Sequence, residues 1–70
     1  MSQETAVQYK TEFKRWAVEN HMRAADIAKA VGISSKSVYA YLQGWRLPSR
    51  STMRKMEEAL GINTREIFGI

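Results

Sequence analysis

Between Ile27 and Met56 the chain carries six basic side chains, Lys29, Lys36, Arg46, Arg50, Arg54 and Lys55, and no acidic one. The acids stand outside that stretch, at Glu4, Glu12, Glu19 and Asp26 before it and at Glu57, Glu58 and Glu66 after it. A block of one sign is the electrostatic footprint of a surface that faces phosphates. A solvated face that merely lacks acids has the same pattern, so the block permits a polyanionic partner without requiring one. The net charge of +4 carries less information than this distribution.

Other chemistries find little material. With no cysteine, neither a disulfide framework nor a thiolate metal site can form, and His21, the single histidine, cannot hold a metal alone. Glu57 and Glu58 are adjacent and point in different directions on a helix, and there is no Gly-rich phosphate loop. The expectation is therefore a protein that is not an enzyme, with no metal, no cofactor and no evident small-molecule ligand. Trp45 offers a stacking platform for single-stranded nucleic acid, or it covers an edge of the core. No apolar run approaches the roughly 18 to 20 residues that span a membrane, and MSQETAVQYK lacks the apolar core of a signal peptide, so a cytoplasmic protein is expected.

A basic block needs elements to present it, and apolar spacing supplies them. Residues 1 to 4 read as a loose tail. From about Thr5 to Asn20, the residues Tyr9, Phe13, Trp16 and Ala17 lay one apolar stripe along a first helix, while Lys10, Lys14, Arg15 and Glu19 face water. Asn20 and His21 end it, and Met22 packs inward across the connection. A second helix, about Arg23 to Val31, turns Ile27, Ala28 and Val31 to one side. Gly32 supplies the left-handed residue that stops it, Ile33 plugs the core, and Ser34 is the N-cap of a third helix. That helix, Ser35 to Gln43, buries Val38, Tyr41 and Leu42 and shows Ser35, Lys36, Ser37, Tyr39, Ala40 and Gln43 on its other side. Residues 23 to 44 thus read as a helix-turn-helix, which presents its second helix to a DNA major groove.

After Gly44, the connection WRLPS is expected to return Leu47 to the core. Pro48 cannot continue a helix, and Ser49 caps a fourth one, about Arg50 to Leu60, whose buried stripe is Met53, Met56 and Leu60. Gly61 closes it and Ile62 points inward. Asn63 and Glu66 have the spacing of a capping box before a last turn, Thr64 to Phe68, that buries Ile67 or Phe68. The expected chain is all-α and a single domain of five helices over residues 1 to 70.

From about Tyr9 to Phe68 the sequence resembles the Cro/CI-like (XRE-type) helix-turn-helix family of phage and bacterial regulators. The resemblance is carried by Ile27-Ala28, Gly32-Ile33-Ser34, Val38, Gly44, Pro48-Ser49 and Leu60-Gly61-Ile62. It implies a compact, lambda repressor-like domain that often binds a double-stranded DNA operator as a homodimer in the bacterial cytoplasm, associated with the nucleoid when bound. It implies a small sequence-specific transcriptional regulator, a Cro-like repressor or switch component of a phage or prophage. Carried over position by position, Ser35, Lys36 and Ala40 stand where family members touch base edges. Ser34, Ser37, Tyr39, Gln43, Trp45, Arg46 and Arg50 form the expected phosphate-facing set. Lysine can donate to guanine O6 and N7, whereas Ala40 offers a methyl contact alone.

Two positions depart from the family pattern. The glutamine that commonly opens the second helix and clamps the backbone is here Ala24. The glutamate that commonly ends the third helix and pairs with an arginine of the first is Leu42, and the arginine's place is Ala17. These departures, with the apolar end Ile67-Phe68-Gly69-Ile70, support a second reading: an antirepressor-like modulator that binds another regulator, such as a CI-type repressor, by protein contact.

Overall fold

Helices start here wherever a side-chain oxygen can take an amide that the helix itself leaves orphaned. In the computed structural model, which describes residues 9–70, the five helices are α1 (Glu12–Glu19), α2 (Ala24–Val31), α3 (Ser35–Gln43), α4 (Arg50–Leu60) and α5 (Thr64–Phe68). Thr11, Ser34, Ser49 and Asn63 each accept an amide N–H of the first turn that follows them. α2 starts differently: the Asp26 carboxylate reaches back to the Arg23 amide at 3.0 Å.

The last three helices have the bounds expected from sequence. The first does not. Tyr9, Lys10 and Thr11 lie outside α1, because the extended Thr11 offers its hydroxyl to the Lys14 amide at 2.9 Å and begins the helix there. The tail at 1 to 4 and the proposed helical residues 5 to 8 lie outside the described residues. α2 begins at Ala24, with Arg23 as its cap rather than its first residue.

Gly32, Gly44 and Gly61 end α2, α3 and α4 with positive φ. α1 ends the same way at a less permissive residue: His21 has φ 56°, its amide bonds Val18 O at 3.1 Å and the Met22 amide bonds Ala17 O at 2.8 Å. This is a Schellman closure with histidine at the left-handed position.

Phe13, Ile27, Val38 and Met56 are fully enclosed, one from each of the first four helices. Around them pack Ala17, Ala28, Val31, Tyr41, Leu42 and Ile62. Phe13 also stacks on Trp16 at 6.1 Å and meets Phe68 at 5.2 Å, which carries the core out to α5. α2 packs on both α3 and α4, α1 on α3 and α5, and α5 on α4. Truncating Phe13 would empty a fully enclosed position and remove its ring contacts with Trp16 and Phe68, at a cost of about 3 to 5 kcal/mol.

Several inward positions differ from expectation. Leu47 is 58% exposed, and Pro48 is the buried residue of the connection instead. In this non-helical stretch the inward position falls one residue later. Met53 is half-buried, so Met56 is the fully buried anchor of α4. Trp16 is half-buried against the core rather than inside it, as are Ile33, Ile67 and Phe68. Asn63 accepts the Arg65 and Glu66 amides at 3.0 and 3.3 Å, but no reciprocal Glu66 bond is present among the described residues, so the capping box is half made.

Candidate nucleic-acid interface

The apolar side of α3, Val38, Tyr41 and Leu42, is locked into the core, which obliges the opposite stripe to face outward. Ser35 and Lys36 are exposed on its first turn, and Ala40 and Gln43 are half-buried farther along. Ser34 caps the helix through a 3.1 Å bond from the Ser37 amide, and its hydroxyl proton goes to Ser37 Oγ at 3.0 Å. Ser34 is thereby committed to the protein itself. Ser37 Oγ also accepts from Arg46 Nη2 at 3.4 Å, while the guanidinium rests over the Tyr41 ring at 5.7 Å from its centre. The loop after α3 thus returns a fixed positive charge to the start of α3, where helix amides and dipole already favour an anion. Most of the guanidinium's donors are left for an outside acceptor.

Tyr39 and Trp45 stand beside that stripe, 48% and 67% exposed. Their rings meet edge to face at 5.5 Å and 79°. Trp45 therefore does not cover the core; it braces Tyr39 on the surface.

Two hollows flank α3 on the side of α1. One is lined by Lys14, Val18, His21, Arg23, Ala24 and Tyr39, among others, and the other by Tyr9, Lys10, Lys14, Leu42 and Gln43. Among the described residues, neither is lined by an acid. Arg15, on another face of α1, is held at 3.3 Å by both Glu12 and Glu19. Glu12's hydrogen bond and charge, and then Glu19's, hold the Arg15 proton more tightly than usual. Within α1 the two acids thus gather on Arg15, while Lys14, its one lysine, lines the hollows beside α3.

This rim was not read from the sequence, which placed Lys10 and Lys14 simply in water. The available signal was the i, i+3 and i, i+4 spacing of Glu12, Arg15 and Glu19, which gathers the acids of α1 on one face and leaves Lys14 off it. Arg50 goes the other way: it lines a groove with Glu57, Asn63, Thr64 and Arg65 on the α4–α5 side, apart from the cluster of Ser34, Ser37, Tyr39, Trp45 and Arg46. Arg46 stands at the border, since it also lines an apolar groove with Leu47, Ile67, Phe68, Glu12 and Glu66.

Five helices in this order, with the second and third joined through Gly32 and Ser34 and the third presenting a polar stripe, form a helix-turn-helix domain. A helix-turn-helix family model matches residues 13–67. The chain belongs to the Cro/CI-like, XRE-type helix-turn-helix family. No curated protein and no solved structure matches it. The XRE-type family consists of DNA-binding transcription regulators and is generally non-enzymatic. Among the described residues, no helix is long and apolar enough to cross a membrane.

Against the XRE-type pattern, the missing ion pair has a structural replacement. Ala17 and Leu42 both lie in the buried cluster, so the place of two charges is taken by packing. Replacing both members of a buried pair together need not cost stability, because neither charge is left desolvated and alone. Ala24 adds no polar group to the hollow it lines; the cations there come from Lys14 and Arg23.

Proposed function

We propose that this protein is a sequence-specific, Cro-like repressor whose α3 enters the major groove of operator DNA. The supporting observation is the rim of positive charge around the exposed stripe of α3: Lys36 at its tip, Arg46 over its first turn, and Lys14 and Arg23 along its α1 side. In this reading Lys36 and Ser35 reach base edges, and Ala40 meets a thymine methyl. Gln43, Tyr39, Trp45, Ser37 and Arg46 meet the sugar-phosphate backbone, joined by Lys14 and Arg23. Short side chains on α3 leave much of the discrimination to DNA shape.

The test is selection of duplexes from a random-sequence pool, followed by titration of the winner at two salt concentrations. Log affinity should fall with log salt at about −0.9 per neutralised phosphate. Absence of binding at about 50 mM salt, where electrostatic attraction is weakly screened, would overturn the proposal.

A second reading concerns protein contact. Leu47, Ile67 and Phe68 border an apolar groove of about 270 Å³ on the side away from Lys14. XRE-type domains often dimerise, and a second copy of this chain is the occupant we favour. Sedimentation equilibrium checks it: the native chain should dimerise and Leu47→Glu should shift it toward monomer. A chain that stays monomeric but binds a separate repressor would instead favour the antirepressor-like role.

A further inference from the structure

Among the described residues, a single side-chain hydrogen bond joins α3 to another helix: Thr11 Oγ1 donates to Leu42 O at 2.9 Å. The same oxygen accepts the Lys14 amide at 2.9 Å and so caps α1. A hydroxyl has one proton and two lone pairs, so the two bonds coexist without competition.

The accounting of α3's last carbonyls shows what the bond does. Ala40 O receives the Trp45 amide at 2.9 Å and Tyr41 O the Gly44 amide at 3.2 Å, the Schellman pair of a helix closed by glycine. Leu42 O comes next and takes the Thr11 hydroxyl instead. The Thr11 methyl lies over Gly44, where an added Cβ would sit 3.0 Å from Thr11 Cγ2. Hydroxyl and methyl together seat the C-terminal turn of α3 on the start of α1.

The two ends of α3 are held differently. At its start, among the described residues, the side chains of Ser34, Ser37 and Arg46 hydrogen-bond within α3 and the loop that follows it, so that network travels with the helix. The apolar core under α3 is strong but non-directional. The Thr11 bond is directional and refers α3 to a different element. It shares with the family's ion pair one position, Leu42, but reaches it from the start of α1 rather than from Ala17.

We propose that Thr11 is a positioning residue for DNA recognition: its hydroxyl sets the angle at which the stripe from Lys36 to Gln43 meets the duplex. This rests on the DNA-binding reading above.

Three variants test it. Thr11→Val keeps the shape and removes both hydrogen bonds, while Thr11→Ser keeps both. Ser49→Ala removes a comparable cap from α4, the bond to the Thr52 amide, with no link to α3. Amide hydrogen exchange at Gly44 and Trp45 reads the seat in the free protein. Affinity for a duplex selected by the native chain, relative to calf-thymus DNA, reads its consequence. Thr11→Val should accelerate exchange at both amides and lower the preference for the selected duplex roughly five- to tenfold, with the salt slope unchanged. Thr11→Ser, which loses the methyl contact and keeps both hydrogen bonds, should retain the native preference within about twofold, and Ser49→Ala should keep it as well.

A Thr11→Val protein that is folded and retains native preference overturns the positioning role alone. So does an equal loss of preference in Ser49→Ala, which would make the effect one of general stability. If the native chain selects no duplex, the DNA-binding reading falls and the role of Thr11 in recognition falls with it.

Discussion

The face around α3 and the face between α4 and α5 are both rich in cations, yet only the first is of one sign. Lys14, His21 and Arg23 share a hollow with Tyr39 that, among the described residues, contains no carboxylate. Arg50 and Arg65 share theirs with Glu57, whose Oε2 accepts the Thr64 hydroxyl at 2.7 Å. In sequence the order is reversed: Arg50 belongs to the acid-free block, and Lys14 lies between Glu12 and Glu19. A polyanion responds to charge density on a surface, which helix packing creates by bringing Lys14 of α1 beside α3 and the first arginine of α4 beside Glu57.

Charge reversal tests that distinction most severely. Lys36→Glu and Arg65→Glu change the net charge equally, so any difference between them is a matter of place. Lys36→Glu should weaken binding to the selected duplex by about 3 kcal/mol, on the order of 100-fold, whereas Arg65→Glu should stay within about threefold of the native chain. Equal losses in gel-shift titrations would dissolve the contrast between the faces.

The glycines that end α3 and α4 give the next effect. Both have positive φ, at 79° for Gly44 and 67° for Gly61, but an added Cβ would meet Thr11 at the first and nothing within 4 Å at the second. Gly44→Ala should destabilise by about 2 kcal/mol and Gly61→Ala by about 1 kcal/mol. For a domain of this size each kcal/mol lowers Tm by about 4 to 8 °C, so thermal melts followed by circular dichroism separate the two.

Lys14→Gln sharpens the comparison from the α1 side. It should make the salt slope less negative by about 0.9 and weaken selected and unselected duplexes alike, the behaviour of a phosphate contact. An unchanged slope would return Lys14 to the solvated surface.

Arg15→Gln should do least. Its ion pairs are exposed and screened by solvent, so the melting temperature at neutral pH should stay near that of the native chain and DNA affinity should not change. Because Glu12 and Glu19 raise the Arg15 pKa in the folded state, its contribution is complete below the unfolded value and is lost only as pH rises through the folded one. Melting temperatures across the neutral range should therefore show no titration from Arg15. A drop in duplex affinity would place this face of α1 at the DNA.

Most of the scaffold was legible in the chain. Phe13, Ile27, Val38 and Met56 fall on helical stripes, and Ser34, Ser49 and Asn63 stand where caps must stand, so the bounds of α3, α4 and α5 follow from local chemistry. Apolar periodicity does not mark Thr11 as a cap, because Tyr9 extends the stripe of α1 backward and a hydroxyl that captures an amide leaves no apolar signature. Leu47 was expected inside because apolar character alone does not decide which of two adjacent loop residues points inward.

The sequence by itself determined five helices, their order, the outward stripe of α3 and the family to which they belong. Each is settled by interactions between residues a few positions apart. Only the tertiary structure decided that Lys14 and Arg23 line a hollow with Tyr39 of α3, that Arg50 lines a groove with Glu57, and that Thr11 reaches Leu42. Those pairs lie far apart along the chain and are joined by how helices cross, which is set by core packing over all four major helices at once.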